Sequence, residues 1–336
     1  MRFAFVVGDP LAMRSTHTTT HLAIAALRRG HDVGFVGADD LTLTPDNQVA
    51  AIVRRPAGVP ATTEALSAAM ATASEHDERL GGWDVVFIRF HPHRETWGEG
   101  AQVVDFGWRL RLGGVLVVND PEGAQRAGGR MYVAGLPAEI RPRTLVTRAP
   151  DEVKRFLKEL DAPALIKPLS ERNAAANRFY VARGQVKNLN QMISVLRKGG
   201  YLVVQEYMAD VAQGEKRLLL LAGEPLRAGD KVAIYRRGGD PTDVDAATSA
   251  STRRPWQLGA VEQRIADLLR PKLVADGLYF VGIDIAGDKV LEVNVHTPGG
   301  AQACAELYGL DVGDVVVRDL ERRLAVRQAY RKSPGA

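Results

Sequence analysis

The stretch from Leu278 to Gly300 (LYFVGIDIAGDKVLEVNVHTPGG) constrains the fold most, because apolar and polar residues alternate on both sides of a glycine turn. Alternation with a period of two around such a turn predicts a β-hairpin with one buried face. The apolar rows are Val281, Ile283, Ile285 and Leu291, Val293, Val295. The opposite face then carries Asp284, Glu292, Asn294 and His296.

The loop length of this hairpin decides which side chains meet. A two-residue loop at Gly287 and Asp288 would put Asp284 and Glu292 on opposite faces, since a shift of one residue reverses every side chain. A three-residue loop, Ala286 to Asp288, puts the two carboxylates on the same face. The hydrophobic pattern favours the three-residue loop.

Two adjacent carboxylates repel each other, so one stays protonated unless a cation lies between them. Asp284, Glu292 and Asn294 all offer oxygen atoms, which suits Mg²⁺ or Mn²⁺ better than zinc. The alternative is an ordinary amphipathic hairpin whose polar face meets water. Spacing alone leaves both interpretations open.

Composition limits the class of protein. The chain has 336 residues, 46% hydrophobic and 25% charged, enough for two or three globular domains or subdomains. Its 44 basic and 40 acidic residues give a net charge of +4 without an aromatic-interleaved basic run, which indicates a small anionic ligand and argues against nucleic acid. A single cysteine, no membrane-length apolar run and a strand pattern at the N-terminus predict a cytoplasmic protein.

The N-terminal part has the pattern of an α/β unit. Arg2 to Val7 and Val33 to Val36 are predicted strands, with a helix at His17 to Arg29 between them. We expect a turn-rich excursion over Pro45 to Pro60 and a helix over Thr62 to Leu80. The first turn has neither a G-x-G-x-x-G fingerprint nor a Walker lysine loop, so nothing local indicates a dinucleotide or P-loop site.

Two further buried strands, Trp83 to Phe90 and Val115 to Val118, flank a helix around Gln102 to Leu112. Polar residues follow each strand, where ligands of open α/β sheets gather. They are Arg89, His91 and His93 after the first strand and Asn119, Asp120 and Pro121 after the second. A metal pair at His91 and His93 is less favoured than a plain loop, because Pro92 separates them and no third ligand is near.

Glycine and charge interrupt the pattern near Gly123 to Gly135, which indicates a domain boundary. Beyond it the pattern predicts alternating strands and helices, a long loop and a last helix before the hairpin. The strands are Arg143 to Thr147, Ala164 to Lys167, Arg178 to Ala182, Tyr201 to Val204 and Arg217 to Leu221. The helices are Asp151 to Leu160, Leu189 to Leu196 and Val261 to Asp276, and the loop is Arg236 to Pro255.

Five motifs in order resemble the bacterial glutathione synthetases of the ATP-grasp superfamily. They are NDP (119–121), TLVTR (144–148), IKPL (166–169), GEKRLLLLAGEP (214–225) and GLYFVGIDIAGDKVLEVNV (277–295). The resemblance implies an α/β protein with an N-terminal doubly wound domain, 1–122, followed by an ATP-grasp fold of two α+β lobes. The central lobe with its lid loop would be 123–204, and the C-terminal lobe with the metal site 205–330.

The resemblance also implies roles for individual residues. Asp284, Glu292 and Asn294 would hold magnesium, and Arg217 would steady the transferred phosphate. Lys167 and Arg130 would contact ATP phosphates, with Arg130 in the place of a family lysine. The adenine segment would be Gln205, Glu206, Tyr207 and Met208, and Glu215 would hold the ribose hydroxyls.

Two loops depart from the family pattern. The lid position, Ser170 to Asn177, contains no glycine, although backbone amides approach phosphates closely where glycine permits it. Side chains of Arg172 or Asn173 are the available substitutes. In the acceptor loop, Arg236 to Pro255, the glycine- and arginine-rich family sequence is replaced by RRGGDPTDVDAATSASTRRP.

The implied function is an ATP- and magnesium-dependent ligase that joins a small carboxylate to an amine, with γ-glutamylcysteine and glycine as default substrates. A related peptide or amide ligase with other substrates, an ATP-grasp kinase and a nucleotide-binding relative without turnover stay open, as does homo-oligomerisation. Replacing Asp284 or Glu292 by alanine is expected to abolish turnover with little loss of stability, because a metal ligand on a wet face adds little to the core.

Overall fold

The computed structural model describes residues 1–90, 100–169, 178–185, 187–238 and 253–332. Its first sheet has the strand order β4-β3-β2-β1-β5-β6. These strands are β1 (Arg2–Val7), β2 (Asp32–Leu43), β3 (Val49–Arg55), β4 (Ser74–Arg79), β5 (Val85–Ile88) and β6 (Leu116–Val118). β2, β1, β5 and β6 are mutually parallel, whereas β3 and β4 are antiparallel additions. Helices α1 (Thr18–Arg28), α2 (Thr63–Ala69) and α3 (Gly100–Leu112) accompany this sheet.

Two predictions for this part are wrong. Pro45 to Pro60 contains the strand β3, whose Val49, Ala51 and Val53 are buried. Thr62 to Leu80 holds only the short helix α2 before the strand β4. β4 has the sequence SEHDER and joins the sheet through its backbone at an exposed edge, so its side chains carry no apolar alternation. Charged edge strands of this kind also discourage pairing between molecules.

The second sheet is small and antiparallel, in the order β7-β10-β8-β9. Its strands are β7 (Thr144–Thr147), β8 (Ala164–Pro168), β9 (Phe179–Val181) and β10 (Leu202–Glu206). Short helices α4 (Pro121–Ala127) and α5 (Met131–Ala134) precede it, and α6 (Pro150–Leu160) and α7 (Leu189–Arg197) pack on one face around buried Val153, Ile166 and Ile193. The other face of β8 and β10 carries Lys167 and Gln205 together with Leu165 and Val203.

The third sheet contains the predicted hairpin and has the order β16-β15-β11-β17-β18. Its strands are β11 (Glu215–Leu221), β12 (Glu224–Pro225), which pairs with β11, β15 (Ile234–Arg237), β16 (Arg253–Pro255), β17 (Phe280–Ala286) and β18 (Lys289–Asn294). A two-stranded ribbon, β13 (Arg227–Ala228) and β14 (Lys231–Val232), lies beside it. Helix α8 (Ala260–Ala275) covers one face, where Leu218, Ile283 and Ile285 are buried. Helices α9 (Ala301–Tyr308) and α10 (Val312–Lys332) follow.

The hairpin reaches the expected pairing by a different route. Its loop is the two-residue turn Gly287-Asp288, since Ala286 pairs with Lys289. A β-bulge inserts Leu291 between the pairs Ile285–Val290 and Asp284–Glu292. The two-residue turn alone would put Asp284 and Glu292 on opposite faces, and the extra residue of the bulge brings them back to the same face. The predicted three-residue loop is therefore wrong, whereas the predicted Asp284–Glu292 pair is confirmed.

Asn119 fastens the end of β6 to the third sheet. Its amide nitrogen donates to the carbonyls of Phe280 (2.9 Å) and Val295 (2.6 Å), and its side-chain oxygen accepts from the amides of Tyr279 and Phe280 (both 2.8 Å). Its whole hydrogen-bonding capacity is therefore structural. Asp120 is used similarly, because it caps α4 through the Gly123 amide at 3.0 Å and pairs with Arg111 at 2.5 Å.

Among the helices in these ranges, none is both long and apolar enough to cross a membrane.

Candidate active site

Strand register assembles one polar patch on the face of the third sheet opposite α8. Arg217 of β11 lies beside Asp284 of β17, and Asp284 lies beside Glu292 of β18. Asn294 pairs with Gly282, one pleat further along the same face. Because neighbouring strands lie about 4.8 Å apart, these four side chains are within reach of one another. The structure thus brings together the residues expected to hold magnesium and the residue expected at the transferred phosphate.

Asp284 is the buried centre of this patch, with only 1% of its surface exposed. Its carboxylate accepts two hydrogen bonds from Arg217, one from Nε and one from Nη2 at 2.6 Å. Arg237 Nη2 lies 3.1 Å from Oδ2, and the Asn294 amide nitrogen lies 3.3 Å from it. Burial by itself would raise the pKa of Asp284, but Arg217 and Arg237 outweigh it and hold that pKa below its usual range.

Arg237 joins the patch to Glu215 at the start of β11. Its Nη2 donates to the Glu215 carboxylate at 2.8 Å, and the two residues are register partners. Burial, together with the nearby Asp284, raises the pKa of Glu215. Tyr235, the register partner of Arg217, is 4% exposed on the same face and packs against Gly300, where a Cβ would lie 3.0 Å from the ring. We call Glu215, Arg217, Arg237, Asp284, Glu292 and Asn294 the acid–arginine cluster.

The residues expected at the nucleotide form a second group on the second sheet. Lys167 and Gln205 share the face away from α6 and α7, and Lys167 Nζ donates to Gln205 Oε1 at 3.0 Å. Arg130 donates to the backbone carbonyl of Pro168, next to Lys167. These three residues therefore surround the end of β8. Gln205 is buried there, with 6% of its surface exposed.

The remaining adenine-segment residues continue from β10. Glu206 accepts from the Arg143 amide at 3.2 Å, and the Tyr207 amide donates to the Pro163 carbonyl at 2.9 Å. The Tyr207 ring meets the exposed Tyr180 edge-on, with centroids 5.1 Å apart, and Met208 is half-buried. The chain then passes the hairpin turn, where a Cβ on Gly287 would lie 2.9 Å from Asp210.

Comparison with known proteins decides the family. The prokaryotic glutathione synthetase N-terminal domain model matches residues 1–124, and the prokaryotic glutathione synthetase ATP-grasp domain model matches residues 129–309. The chain belongs to the prokaryotic glutathione synthetase family. It is 30% identical to the glutathione synthetase of Synechococcus elongatus over 96% of this chain and 98% of the relative. It is 29% identical to that of Vibrio cholerae over 95% and 97%.

Solved structures agree on the fold. The D-cycloserine synthetase DcsG superposes with a TM-score of 0.62 at 15% identity, covering 95% of this chain and 99% of that one. The ATP-grasp ligase PsnB, in a complex with a precursor variant, Mg and ADP, superposes with a TM-score of 0.60 at 17% identity, covering 96% and 98%. The expected α/β architecture with an ATP-grasp fold is confirmed, and this glutathione synthetase-like chain is an ATP-dependent carbon–nitrogen ligase.

Members of the family use ATP and Mg²⁺, and the donor chemistry of the acid–arginine cluster fits magnesium. Asp284, Glu292 and Asn294 offer oxygen ligands only, which is the set that hard cations prefer. In the described ranges no group of three or more His, Cys, Asp or Glu side chains is arranged to hold a metal. The proposed ligand set is consistent with this, because its third member, Asn294, is an amide and not one of those four residue types. The carboxylate of Asp284 forms ion pairs with the guanidinium groups of Arg217 and Arg237.

The patch differs from the expected wet sheet face. Asp284 and Arg217 are 1% and 7% exposed, whereas Glu292 and Asn294 are half-buried. His296 leaves the face altogether, because β18 ends at Asn294 and the imidazole lies under the end of α4, where a Cβ on Gly128 would be 2.3 Å from Nε2. The expectation that Asp284 lies on a wet face is therefore wrong.

Arg237 is the member of the acid–arginine cluster that the sequence pattern did not identify. Residues from Arg236 onward were expected to form a loop, but β15 continues to Arg237 and β16 contains Arg253–Pro255. The pattern that could have identified Arg237 is the alternation of Tyr235 and Arg237 along β15, which places them opposite Arg217 and Glu215 of β11. Residues 239–252 of that loop, the lid residues Ser170 to Asn177, and His91 and His93 lie outside the residues that the structure describes.

Proposed function

We propose that this ligase joins the cysteine carboxylate of γ-glutamylcysteine to the amine of glycine, with ATP converted to ADP and phosphate. The acid–arginine cluster carries the proposal, because it concentrates two guanidinium groups and three carboxylates on one face of the third sheet, around the buried Arg217 and Asp284. Relatives of nearly equal length named glutathione synthetase support the choice of substrates.

The proposed roles follow the chemistry of each side chain. Asp284, Glu292 and Asn294 would hold Mg²⁺, which supplies charge neutralisation for the phosphates of ATP. Arg217 is buried and fixed by its two hydrogen bonds to Asp284, so its guanidinium is preorganised to stabilise charge on the transferred phosphate. Lys167 and Arg130 would neutralise the charge of the remaining phosphates. The ammonium group of Lys167 acts as a compact point charge, whereas the guanidinium group of Arg130 is planar and can donate two parallel hydrogen bonds.

Glu215 and the β10 segment would bind the nucleoside. A carboxylate such as Glu215 accepts hydrogen bonds from both ribose hydroxyls, and its contact with Arg237 would be exchanged for them on binding. Residues Gln205 to Met208 would line the adenine through backbone and side-chain groups.

The reaction needs this charge because a carboxylate must approach a polyanion. Transfer of the γ-phosphoryl group to the acid breaks the P–O bond to ADP and forms an acyl phosphate. The amine then attacks the carbonyl carbon, phosphate leaves with the electrons of the C–O bond, and an amide forms. Exclusion of water protects the acyl phosphate in the meantime.

We further propose that residues 1–122 help to bind the acid, while lobes 123–204 and 205–330 clamp ATP. The β10 strand, Leu202–Glu206, runs across the division between the lobes and would connect them. Small molecules would be the only substrates, with neither nucleic acid nor membrane as partner. The single free cysteine supports a cytoplasmic location, and a homo-oligomer is compatible with the proposal.

The test is phosphate release by the purified protein with Mg-ATP. We expect release to require γ-glutamylcysteine and glycine together and to match tripeptide formation one to one by mass spectrometry. No release with this pair would refute the glutathione assignment. The altered acceptor loop favours one further candidate, a ligase for another acid or amine, so the same assay should include other γ-glutamyl dipeptides and amino acids.

A further inference from the structure

Lys216 lies between two residues of the acid–arginine cluster but faces the other way. Alternation along β11 sends Glu215 and Arg217 to the cluster face, so Lys216 points to the face that α8 covers. There its Nζ donates to Glu262 Oε1 of α8 at 2.6 Å and to the Gly287 carbonyl at 3.0 Å. One ammonium group therefore ties β11 to the first turn of α8 and to the turn between β17 and β18.

The surroundings of this ammonium group leave it little freedom to move. Its Nζ lies 5.3 Å from the centre of the Trp256 ring, and the guanidinium carbon of Arg236, its register partner on β15, lies 5.6 Å from the same ring. The backbone amide of Trp256 donates to Tyr308 Oη at 2.7 Å, which fixes the chain at that point. An ammonium group has three N–H donors, and here a carboxylate, a carbonyl and an aromatic face surround it.

The ion pair between Lys216 and Glu262 is buried, with 11% and 4% of the two side chains exposed. Glu262 also accepts from the Gly259 amide at 2.9 Å, which is half of a capping box at the start of α8. Burial alone would raise the pKa of Glu262, but the hydrogen bonds from Lys216 and from backbone amides keep that pKa below its usual range. Apolar side chains of similar size often stabilise a fold as well as a buried ion pair does. What the pair adds is direction, because its hydrogen bonds fix where each partner lies.

The turn between β17 and β18 lies beyond the hydrogen-bond ladder of the neighbouring strand. The register between β11 and β17 ends at the pair Lys216–Ile285, and the turn Gly287-Asp288 follows it. β18 is the edge strand of the third sheet and pairs with β17. From outside the sheet, Lys289 Nζ donates to the Glu139 carbonyl at 2.8 Å. The hydrogen bond from Lys216 is thus the tie between β11 and the tip of the hairpin that carries the proposed magnesium ligands.

We propose that Lys216 is a positioning residue of the ligase, which sets the magnesium ligands of the hairpin at the right distance from Arg217 by holding the hairpin tip against β11 and α8. Lys216 touches neither substrate nor metal, because it lies on the opposite face of the sheet. The inference rests on the proposed magnesium site and adds a residue that acts on it from behind. Residues that orient metal ligands contribute about 10- to 100-fold in metal affinity, and we expect an effect of that size here.

The experiment compares the parent protein with Lys216→Met, Glu262→Gln and the double variant. Glu262→Gln keeps both the hydrogen bond from Lys216 to Gly287 and the cap of α8, since glutamine also serves at that position of a capping box. Each single variant leaves one buried charge without its partner, so it should unfold at a lower temperature than the parent protein. The double variant leaves no such charge and should recover most of the loss.

Binding of Mn²⁺ alone, followed by electron paramagnetic resonance of the free ion, should show a different order. Lys216→Met and the double variant should both bind Mn²⁺ about 10- to 100-fold more weakly than the parent protein, whereas Glu262→Gln should bind it almost as tightly. Removing a positive charge would by itself strengthen the binding of a cation, so a weaker affinity of Lys216→Met reports geometry. Lys272→Met is the matched control, because Lys272 contacts a carboxylate, Asp276 at 2.9 Å, and a ring, Tyr132 at 4.6 Å, at the far end of α8. It should leave Mn²⁺ affinity unchanged.

The two orders separate positioning from a structural role. Mn²⁺ affinity that recovers in the double variant together with the unfolding temperature would overturn the inference, as would parent-like affinity in Lys216→Met. Glu292→Gln tests the magnesium site itself. If it binds Mn²⁺ as tightly as the parent protein, the proposed site and the inference both fail. If it binds Mn²⁺ more weakly while Lys216→Met does not, the inference alone fails.

Discussion

Asp284→Ala tests the acid–arginine cluster most sharply, because among the described residues Asp284 is the one carboxylate that accepts hydrogen bonds from Arg217. Arg217 is 7% exposed, so it cannot turn to water. Removing one partner of a buried pair costs about 3–5 kcal/mol, since the remaining charge is uncompensated. At about 2–4 °C per kcal/mol for a unit of this size, the unfolding temperature should fall by about 6–20 °C.

Glu292→Gln is the matched control, since Glu292 is expected at the same metal but is only half-buried. It should cost less than about 1 kcal/mol of unfolding free energy. Both variants should lose ligase activity. The comparison should be made near pH 7.5, because the pKa of Asp284 is lowered. The stabilisation by such a group is complete above its unfolded-state pKa and is lost as pH falls through its folded-state pKa.

The double variant Asp284→Leu with Arg217→Met should recover most of the stability but no activity, because apolar side chains can replace a buried ion pair without leaving a charge behind. Thermal unfolding followed by circular dichroism measures all four proteins. An unchanged unfolding temperature in Asp284→Ala, or an equal loss in Glu292→Gln, would show that the pair is not the buried centre described above.

Three further predictions concern other parts of the molecule. Gly123→Ala should cost about 1–3 kcal/mol or more, because its Cβ would lie 1.7 Å from the Asp276 carbonyl oxygen, whereas Gly129→Ala has open space and should be neutral in urea unfolding. Cys304 is fully buried with a pKa raised by burial to about 12, so a thiol reagent at pH 8 should label the unfolded but not the native protein; rapid native labelling would contradict its placement. Lys167→Met should weaken ATP binding about 10- to 100-fold, because a charged hydrogen bond is lost. Lys154→Met, on the exposed side of α6, should leave ATP binding unchanged. Equal ATP affinities of the two variants would show that Lys167 is not part of the site.

The sequence predicted what depends on local pattern. Alternation of polar and apolar residues identified β17 and β18, and it required Asp284 and Glu292 to share a face. It did not predict the bulge at Leu291, because an inserted residue has no pattern of its own. The edge strand β4 was missed for a related reason, since its backbone pairs while its side chains meet water.

Residues whose role depends on distant parts of the chain were the hardest to interpret. Asn119 looked like a ligand at a strand end, but its four hydrogen bonds go to residues about 160–176 positions away. Arg89 looked equally polar at the neighbouring strand end, and its bonding is incomplete. In the sequence, Asn119 and Arg89 look the same, because each is a polar residue after a buried strand. Only the tertiary structure shows that the side chain of Asn119 makes all its hydrogen bonds and that the side chain of Arg89 does not.

Transfer of ¹⁸O tests the central claim most directly. If the acid is activated as an acyl phosphate, γ-glutamylcysteine labelled with ¹⁸O in its cysteine carboxylate must pass one labelled oxygen to phosphate in each turnover with glycine. The ³¹P resonance of the released phosphate should therefore show the isotope shift of a single ¹⁸O. Unlabelled phosphate formed alongside the tripeptide would contradict the mechanism proposed for this protein.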